Sequence, residues 1–314
     1  MEKVLITGGN GYLGARLSKY LAEEGFRVTA LCYPEIAGDA EWRSKLEQVI
    51  AGDVRDEAFL ERVAEAGDYD ILIHLVSLDH RDSNEGMPSA VASVNTTPVW
   101  SLLHIFSKHR LKRFIYLSTV HVYGSPGSRK ITEEEPLNPL TPYALTHALG
   151  EELCAYYNHT SEVECIAIRL TNSYGSPVFR ENNCWWLVIN DLCRMAYEKK
   201  EIVLLSDGTP QRDFIHGRDV CKAVKYILRD PRKGVYQVSS GTTWTIEELA
   251  YKIQAVYRSR YNSEIPVRIK PKERQPEHTA RYIIDNQKLL STGYTPDWPL
   301  EKGIGELFDY LEKA

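Results

Sequence analysis

A tyrosine and a histidine stand four residues apart in the segment TPYALTH, residues 141–147. The segment reads as the first turns of a helix, so Tyr143 and His147 are expected to share one helical face. A phenol with a reference pKa of about 10 transfers protons near neutral pH only when its anion is stabilised. His147 can supply a stabilising charge if it is protonated. The pair therefore predicts proton-transfer chemistry that depends on the state of the imidazole.

A glycine-rich loop, TGGNGYLG, follows the first apolar run of the chain. Gly8 permits a tight turn, Gly11 lets the backbone approach phosphate oxygens, and Gly14 allows a helix and a strand to pack closely. The amino end of the following helix attracts an anion. The loop therefore predicts binding of the pyrophosphate of a dinucleotide.

Residues at the ends of the next two predicted strands would contact the adenosine part of such a dinucleotide. An acid after the second strand would bind the ribose 2′-hydroxyl of NAD, and an arginine nearby would accept the 2′-phosphate of NADP. The chain has Cys32 and Tyr33 there, with no Arg or Lys beside Cys32, which favours NAD without excluding NADP. Asp53 could accept from the adenine amino group or act as an ordinary strand-end cap.

Strands and helices alternate along the chain to position these residues. Strands separated by helices imply a parallel, doubly wound sheet, so the predicted fold class is α/β, a Rossmann sheet with a smaller C-terminal α/β substrate-binding cap domain. The predicted dinucleotide-binding domain spans 1–170 with 214–238 returning to it, and the cap spans 171–213 and 239–314. Pro98 should kink or delay the helix predicted over 89–109. The predicted strands are 3–7, 27–31, 48–53, 70–75, 113–118 and 164–170, and the predicted helices are 13–25, 56–66, 89–109 and 141–159.

The composition of the chain limits the classes of ligand that the protein is expected to bind. The chain has 314 residues, 43% of them hydrophobic, and a net charge of −5, which argues against nucleic acid and anionic membranes and favours a small ligand. No apolar stretch reaches about 20 residues and no signal peptide is evident, so a cytoplasmic location is expected. The six cysteines include no C-x-x-C pair, and no metal site is predicted.

Five motifs in order resemble one known family. They are TGGNGYLG, LSTVHVYG (117–124), YALTH (143–147), RLTNSYG (169–175) and QRDFIHGRD (211–219). The chain resembles, over nearly its whole length, the extended short-chain dehydrogenases of the NAD-dependent nucleotide-sugar epimerase/dehydratase family. The resemblance implies an enzyme that transfers a hydride between a nucleotide-diphosphate sugar and a bound nicotinamide cofactor.

The resemblance also implies roles for individual residues. Thr119 would bond the sugar hydroxyl, Tyr143 would take the hydroxyl proton, and His147 stands where the family has a lysine. That lysine stabilises the tyrosinate and binds the nicotinamide ribose, so its replacement leaves two alternatives, a catalytic Tyr–His pair or a site that binds cofactor but turns over slowly. The cofactor contacts predicted from the motifs and the resemblance are Gly8, Gly11, Tyr12, Leu13, Gly14, Cys32, Asp53, Val54, Leu75, Val76, Tyr143 and His147.

The residues after Thr119 bear on the reaction. The family's dehydratases carry an acidic pair there, and this chain has Val120 and His121, which disfavours 4,6-dehydration. Oxidation, reduction or epimerisation at a sugar carbinol, most often C4, remains. A 4-dehydrogenase or 4-ketoreductase without epimerisation and a non-catalytic NAD(P)-binding protein stay open as alternatives. His121 is a candidate substrate contact, as a second acid/base or as a stacked ring.

The resemblance places nucleotide recognition in the cap domain. Asn172 matches the position whose amide touches the diphosphate, and Arg212 and Arg274 match phosphate- and ribose-binding arginines, which can each bind bidentately. The family commonly pairs through the helices corresponding to 89–109 and 141–159. A homodimer is therefore expected, burying Trp100, Leu103, Leu149 and Leu153.

Overall fold

The computed structural model describes residues 1–34, 39–125, 127, 129–182, 184–230, 232–269 and 281–313. The chain divides into two compact units. The first comprises Met1–Ser125, Glu134–Leu170 and Leu228–Tyr236, and the second comprises Pro126–Glu133, Thr171–Ile227 and Gln237–Ala314. The segment 214–238 was expected in the first domain. Only its part Leu228–Tyr236 lies in the first unit, and the rest lies in the second.

Fourteen strands and twelve helices are assigned in the described residues, with a short 3₁₀ helix at Val120–Tyr123. The strands are β1 (Lys3–Thr7), β2 (Arg27–Cys32), β3 (Gln48–Ala51), β4 (Ile71–His74), β5 (Arg113–Thr119), β6 (Lys130–Ile131), β7 (Glu164–Leu170), β8 (Asn172–Tyr174), β9 (Ile202–Leu204), β10 (Gln211–His216), β11 (Gly234–Val238), β12 (Thr243–Thr245), β13 (Val267–Ile269) and β14 (Ile283–Ile284). The helices are α1 (Tyr12–Glu23), α2 (Ala40–Lys45), α3 (Glu57–Gly67), α4 (His80–Glu85), α5 (Pro88–Asn95), α6 (Thr97–Phe106), α7 (Pro142–Thr160), α8 (Val188–Lys199), α9 (Gly217–Arg229), α10 (Ile246–Tyr261), α11 (Gln287–Leu290) and α12 (Leu300–Leu311).

A seven-stranded sheet organises the first unit, in the order β11-β7-β5-β4-β1-β2-β3. The pairs β1–β2, β1–β4, β2–β3, β4–β5 and β5–β7 are all parallel. The strand order reverses direction between β1 and β4, and doubly wound sheets bind ligands outside the carboxyl ends of the strands at such a point. The predicted α/β class with a Rossmann sheet is confirmed.

The register of the sheet brings the predicted site residues to one edge. Thr7 at the end of β1 lies opposite Leu31 of β2 and His74 of β4. All four residues of β4 are buried, as expected for a strand covered on both faces. The glycine loop and the segment 75–76 therefore leave the sheet side by side, directly after paired strand ends.

The helix predicted over 89–109 is interrupted before Pro98. Helix α5 ends at Asn95, and α6 begins at Thr97 with Pro98 in its first turn. Proline fits the first turn because the amide hydrogen it lacks would have no partner within the helix there. The expected disturbance at Pro98 is confirmed.

Short sheets and three longer helices form the second unit. Strands β12, β10 and β8 make one sheet, β13 pairs with β9, and β14 pairs with β6. Helices α8, α10 and α12 supply much of its buried core. A capping box in which the Thr245 hydroxyl accepts from the Glu248 amide, and the Glu248 carboxylate from the Thr245 amide, starts α10. The second unit is thus α/β, as the cap domain was predicted to be.

Two further expectations concern the chain as a whole. The six cysteines are all described, all buried, and none forms a disulfide. Within the part of the chain that the structure describes, no helix has both the length and the apolar character needed to cross a membrane.

Candidate active site

The glycine loop between β1 and α1 has the backbone geometry of an anion site. Gly8 has a positive φ of 71°, and its carbonyl accepts the Gly11 amide at 2.9 Å. A Cβ on Gly14 would lie 2.0 Å from the Gly8 carbonyl oxygen, so only glycine permits this packing. Gly11 caps α1 without a side-chain hydrogen bond, and only the Gly8 oxygen lies within 4 Å of where its Cβ would be. The amino end of α1 is therefore open to a phosphate, which fits a dinucleotide.

The predicted contacts after β4 lie beside this loop. The Leu75 amide donates to the Thr7 carbonyl at 3.3 Å, and a Cβ on Gly8 would lie 3.2 Å from Cγ2 of Val76. Tyr12 and Leu13, in the first turn of α1, are partly buried. The structure thus brings the predicted loop residues together with Leu75 and Val76.

The other predicted cofactor residues, Cys32, Asp53 and Val54, lie at or after the ends of β2 and β3, and their side chains differ in exposure and in partners. The Cys32 side chain is buried, whereas Tyr33 is exposed and the Arg55 guanidinium lies 6.0 Å from its ring. Arg55 donates from Nε to both carboxylate oxygens of Asp53 at 2.9 Å, and this hydrogen bonding lowers the pKa of the Asp53 carboxyl. Val54 is buried in the core, so only its backbone can reach a ligand.

Tyr143 stands in the first turn of α7, where Thr141 and Pro142 fix the start of the helix. The Thr141 hydroxyl accepts from the Ala144 amide at 3.2 Å. The Thr119 hydroxyl, at the end of β5, accepts from the His121 amide at 3.2 Å and lies near enough to the Tyr143 phenol to affect its pKa. Burial raises the pKa of Tyr143 to about 12, the Thr119 contact lowers it, and the Asp79 carboxylate nearby raises it. The predicted Thr–Tyr pair is therefore assembled, with the phenol protonated at neutral pH.

His147 packs against Tyr143 with ring centroids 4.3 Å apart. Its Nδ1 lies 2.8 Å from the Tyr143 carbonyl oxygen, which can only accept, so Nδ1 carries the hydrogen. Burial lowers the pKa of His147 to about 4, although this hydrogen bond opposes the shift. The imidazole is therefore neutral at pH 7, and the positive charge that would imitate the family's lysine is missing.

A buried aromatic row continues from His147 toward the glycine loop. Tyr116 lies between His147 and His74, with ring centroids 6.0 Å and 6.2 Å away. The Thr7 hydroxyl lies 2.7 Å from Nδ1 of His74, and burial lowers the pKa of His74 to about 3. Two neutral imidazoles and a buried phenol thus form a row that leads from Tyr143 to Thr7 and adds no charge at pH 7.

A buried ion pair supports the strand end that carries Thr119. Arg169 donates from Nε and a terminal nitrogen to the Glu151 carboxylate at 2.7–3.1 Å, and from its other terminal nitrogen to the Tyr123 hydroxyl at 2.6 Å. The Ser118 hydroxyl donates to Glu151 at 2.5 Å. Helix α7 and strands β5 and β7 are therefore fixed to one another directly beside Thr119.

Sequence reasoning missed two residues beside Tyr143. His80 and Asn84 lie on α4, in a segment after β4 that the motifs did not single out. The His80 ring lies 5.7 Å from those of Tyr143 and His121, and the Asn84 carbonyl accepts from the Tyr143 amide at 3.3 Å. A polar run, DHRDSN, at the carboxyl edge of a parallel sheet was the available signal.

The second unit holds the other predicted substrate residues. The Asn172 amide donates to the Asp213 carbonyl at 2.9 Å, and Arg212 donates from one terminal nitrogen to the Gln211 carbonyl at 2.7 Å. The Tyr282 hydroxyl donates to the same Gln211 carbonyl at 3.1 Å, and Tyr282 was not predicted. Strands β8 and β10 are adjacent and parallel, so Asn172 and Arg212 are brought to one region of this unit. Arg274 lies outside the described residues.

The apolar residues expected at a dimer contact do not all face outward. Leu103 is fully buried in the core of the first unit, so its predicted interface role is wrong, because α6 turns that side toward α3 and the sheet. Leu153 is partly buried against the same core. Trp100 and Leu149 are 58% and 45% exposed, and Leu145 and Tyr156 are exposed beside Leu149 on α7.

No metal centre is evident in this protein's described residues: they contain no group of three or more His, Cys, Asp or Glu side chains placed to bind an ion.

Comparisons with known proteins agree with this geometry. Residues 4–239 match a family model described as the NAD dependent epimerase/dehydratase family. The chain is 28% identical to the low-salt glycan biosynthesis protein Agl12 of Haloferax volcanii, over 98% of this chain and 97% of the relative. It is 27% identical to a dTDP-glucose 4,6-dehydratase of Streptomyces niveus, over 98% and 92%. A crystal structure of UDP-glucose 4-epimerase from Thermotoga maritima, with UDP-glucose, superposes with a TM-score of 0.85 at 23% identity, over 99% of both chains.

Proposed function

Since the chain belongs to the NAD dependent epimerase/dehydratase family, we propose that it is an NAD-dependent enzyme that oxidises and reduces the C4 carbinol of a nucleotide-diphosphate sugar, with epimerisation as the net reaction. The observation that carries this proposal is the placement of Tyr143 in the same unit as the glycine loop, with the Thr119 hydroxyl near enough to the phenol to lower its pKa. Such a pair can orient a sugar hydroxyl and move its proton.

The cofactor fits the residues present. The Gly8–Gly14 loop and the open amino end of α1 suit its pyrophosphate, and Tyr143 and His147 suit its nicotinamide ribose. NAD supplies the two-electron oxidation and reduction of the sugar carbon when it is bound. His147 carries its hydrogen on Nδ1, so its Nε2 is an acceptor for a ribose hydroxyl, where a lysine would donate.

The protein's own groups handle the proton. Thr119 orients the sugar hydroxyl, and the Tyr143 oxygen takes the proton as the carbinol becomes a ketone and returns it in the reverse step. This requires tyrosinate, and burial works against it by raising the pKa of Tyr143 to about 12. The enzyme therefore needs another way to remove the phenolic proton.

Val120 and His121 favour epimerisation or simple oxidoreduction over dehydration. The relatives include proteins named dTDP-glucose 4,6-dehydratase and one named putative UDP-glucose 4-epimerase. Elimination of water needs an acid for the leaving hydroxyl, and neither residue after Thr119 is a carboxylic acid. A 4-dehydrogenase or 4-ketoreductase without epimerisation is the alternative, and a protein that binds NAD without catalysis is the second alternative.

The nucleotide diphosphate is assigned to the second unit. Arg212 uses one nitrogen on the Gln211 carbonyl, which leaves the rest of its guanidinium for phosphate oxygens, and Asn172 lies on the neighbouring strand. The solved relative from Thermotoga maritima contains UDP-glucose. A UDP-sugar is therefore the first substrate to test.

The test follows absorbance at the reduced-nicotinamide band after UDP-, GDP-, CDP- and dTDP-sugars are added to the NAD-loaded protein, with chromatography of the products. Tyr143→Phe serves as the control. A C4 epimer formed by the parent alone supports the proposal. A stable keto-sugar with accumulated reduced cofactor would favour the dehydrogenase, a 4-keto-6-deoxy sugar would favour dehydration, and no reaction with tight NAD binding would favour the non-catalytic alternative.

We also propose a homodimer and a cytoplasmic location. The exposed apolar residues Trp100, Leu145, Leu149 and Tyr156 on α6 and α7 support pairing of these helices. Six buried thiols without a disulfide suit a reducing compartment. Light scattering of the parent and of Leu149→Glu tests the dimer: a parent that is already monomeric at micromolar concentration would contradict it.

A further inference from the structure

Two histidines besides His147 lie against the ring of Tyr143. His80 comes from the first turn of α4, and His121 comes from the 3₁₀ helix after β5. Their ring centroids lie 5.7 Å and 6.1 Å from that of Tyr143 and 5.7 Å from each other. His80 and His121 therefore lie together beside the ring of Tyr143 within the first unit, and we call these two histidines the imidazole cluster.

Asn84 fixes this cluster in place. Its amide nitrogen lies 3.1 Å from Nδ1 and 3.2 Å from Nε2 of His80, and its carbonyl oxygen accepts from the Tyr143 amide at 3.3 Å. One side chain thus joins the helix that carries His80 to the first turn of α7. The position of the His80 ring relative to Tyr143 is therefore set by contacts, although the ring itself is exposed to solvent.

The other neighbours of Tyr143 do not help it to lose a proton near pH 7. His147 is neutral, Thr119 offers one neutral hydrogen bond, and the Asp79 carboxylate disfavours a second negative charge. The imidazole cluster is the remaining group beside the phenol that can both accept a proton and exchange it with water.

We infer that His80, together with His121, is the base that deprotonates Tyr143 and passes the proton to solvent. The phenolic O–H bond breaks, an N–H bond forms on a neutral imidazole, and an imidazolium is left beside the tyrosinate. The tyrosinate then takes the proton of the sugar hydroxyl, and the imidazolium releases its proton to water. This inference rests on the proposed function, because it requires Tyr143 to act on a sugar hydroxyl.

The imidazolium would also replace the missing charge of the family's lysine. A cation beside the phenol stabilises the tyrosinate electrostatically whichever side it approaches from. The protein would thus reach the charge arrangement of a Tyr–Lys site with a base that comes from α4 instead of α7.

Titratable and charged groups face His80 from three elements, and the test must leave them unchanged. They are His121 from the 3₁₀ helix, Tyr143 from α7, and Asp79, Arg81 and Asp82 from its own turn. Single substitutions at His80 keep all of them. A changed pH profile in such a variant therefore reports on the His80 imidazole.

The experiment is single-turnover reduction of bound NAD by the reactive sugar nucleotide, measured across pH for the parent, His80→Ala, His80→Gln and His121→Ala. His109→Ala, an exposed histidine after α6, is the control. The parent's rate should depend less steeply on pH than the rate of His80→Ala. At pH 7, His80→Ala should be about 10- to 1000-fold slower, as expected for loss of one acid–base group. Its rate should rise tenfold per pH unit, because hydroxide must then deprotonate the phenol, and added imidazole should restore part of it.

Circular dichroism and NAD affinity equal to the parent's would establish that the variants are folded. A His80→Ala variant with the parent's rate and profile would overturn the inference, and so would a slow variant with the parent's profile and no rescue by imidazole. If the parent is active and His80→Ala behaves in either of these two ways, this inference is overturned and the proposed function stands. A parent that binds NAD but reduces none with any sugar nucleotide overturns the proposed function and this inference with it.

Discussion

The glycine loop before α1 and the tyrosine turn at the start of α7 both lie at the amino end of a helix in the first unit, but they depend on different chemistry. The loop works through backbone amides and through missing side chains, as the 2.0 Å approach of a Gly14 Cβ to the Gly8 oxygen demonstrates. The turn works through side chains whose protonation depends on their surroundings. The loop has the full glycine motif, whereas the turn has a histidine at position 147 beside Tyr143.

This difference indicates how each site can change. A side chain added in the loop occupies the place of the phosphate, and no neighbour can compensate. At the turn, a charge or a base can come from another element that reaches the same atom. His80 of α4 is the candidate that we infer, since its ring centroid lies 5.7 Å from that of Tyr143.

Tyr143→Phe should have the largest effect of the substitutions predicted here, and the effect should be on the rate of NAD reduction, which depends on the turn, more than on NAD binding, which depends on the loop. Loss of the phenolic oxygen removes the group that receives the sugar proton, so single-turnover NAD reduction should fall by about 100- to 10,000-fold. NAD affinity, measured by calorimetry, should fall by no more than about tenfold, because the loop is intact and only one hydrogen bond to the ribose is lost. A variant that keeps the parent's rate would remove Tyr143 from the reaction.

Gly11→Val changes the glycine loop and leaves the tyrosine turn intact, so its main effect should be on NAD binding. A branched side chain would enter the open space at the amino end of α1, and loss of about two charge-assisted hydrogen bonds should weaken NAD binding by about 100-fold or more. Gly305→Ala, on α12 with no atom within 4 Å of its added Cβ, is the matched control and should bind NAD like the parent. Equal calorimetric affinities for the Gly11→Val variant and the parent would contradict the loop assignment.

Arg212→Ala extends the comparison to the second unit, where a side chain is expected to bind phosphate. Loss of one charged partner of about 1.5–3 kcal/mol should weaken binding of a sugar nucleotide by about 10- to 150-fold, with little effect on NAD. Arg268→Ala removes an exposed arginine paired with Glu201 and should leave binding unchanged. Indistinguishable affinities for the two variants would exclude Arg212 from the site.

Substitutions at His147 should have the smallest effects and sharpen the comparison most. The residue is neutral at pH 7, so His147→Gln, which keeps a hydrogen-bonding group without charge, should change the single-turnover rate by less than about threefold. His147→Lys should raise the rate about tenfold at pH 7, if its ammonium lowers the pKa of Tyr143 by one unit from about 12.

The pH dependence of these variants distinguishes the two views of His147. If a His147 imidazolium activated Tyr143, the Gln variant would lose about 10- to 1000-fold in rate and the parent would lose activity as pH rises. With a neutral His147, the parent should not lose activity between pH 7 and 9. A steep decline over that interval would restore the imidazolium interpretation.

Much of the first unit was predictable because its signals are local. Alternating apolar runs and helical spacing predicted strands at 3–7, 27–31 and 164–170 that match β1, β2 and β7 within one residue. The break at Pro98 followed from the missing amide hydrogen of proline. Predicted strand 48–53 ended too late, because β3 ends at Ala51 and the Asp53 carbonyl accepts from the Asp56 amide in a turn before α3.

The sequence by itself determined the fold class, the glycine loop and the presence of Thr119 and Tyr143, since backbone conformation and periodicity are read from neighbouring residues. Tertiary structure decided the rest. Burial, which comes from strands distant in the chain, sets His147 neutral, and packing of α6 on the core removes Leu103 from any interface. His80 reaches Tyr143 across 63 positions of sequence, because parallel strands bring their carboxyl ends to one edge of a sheet.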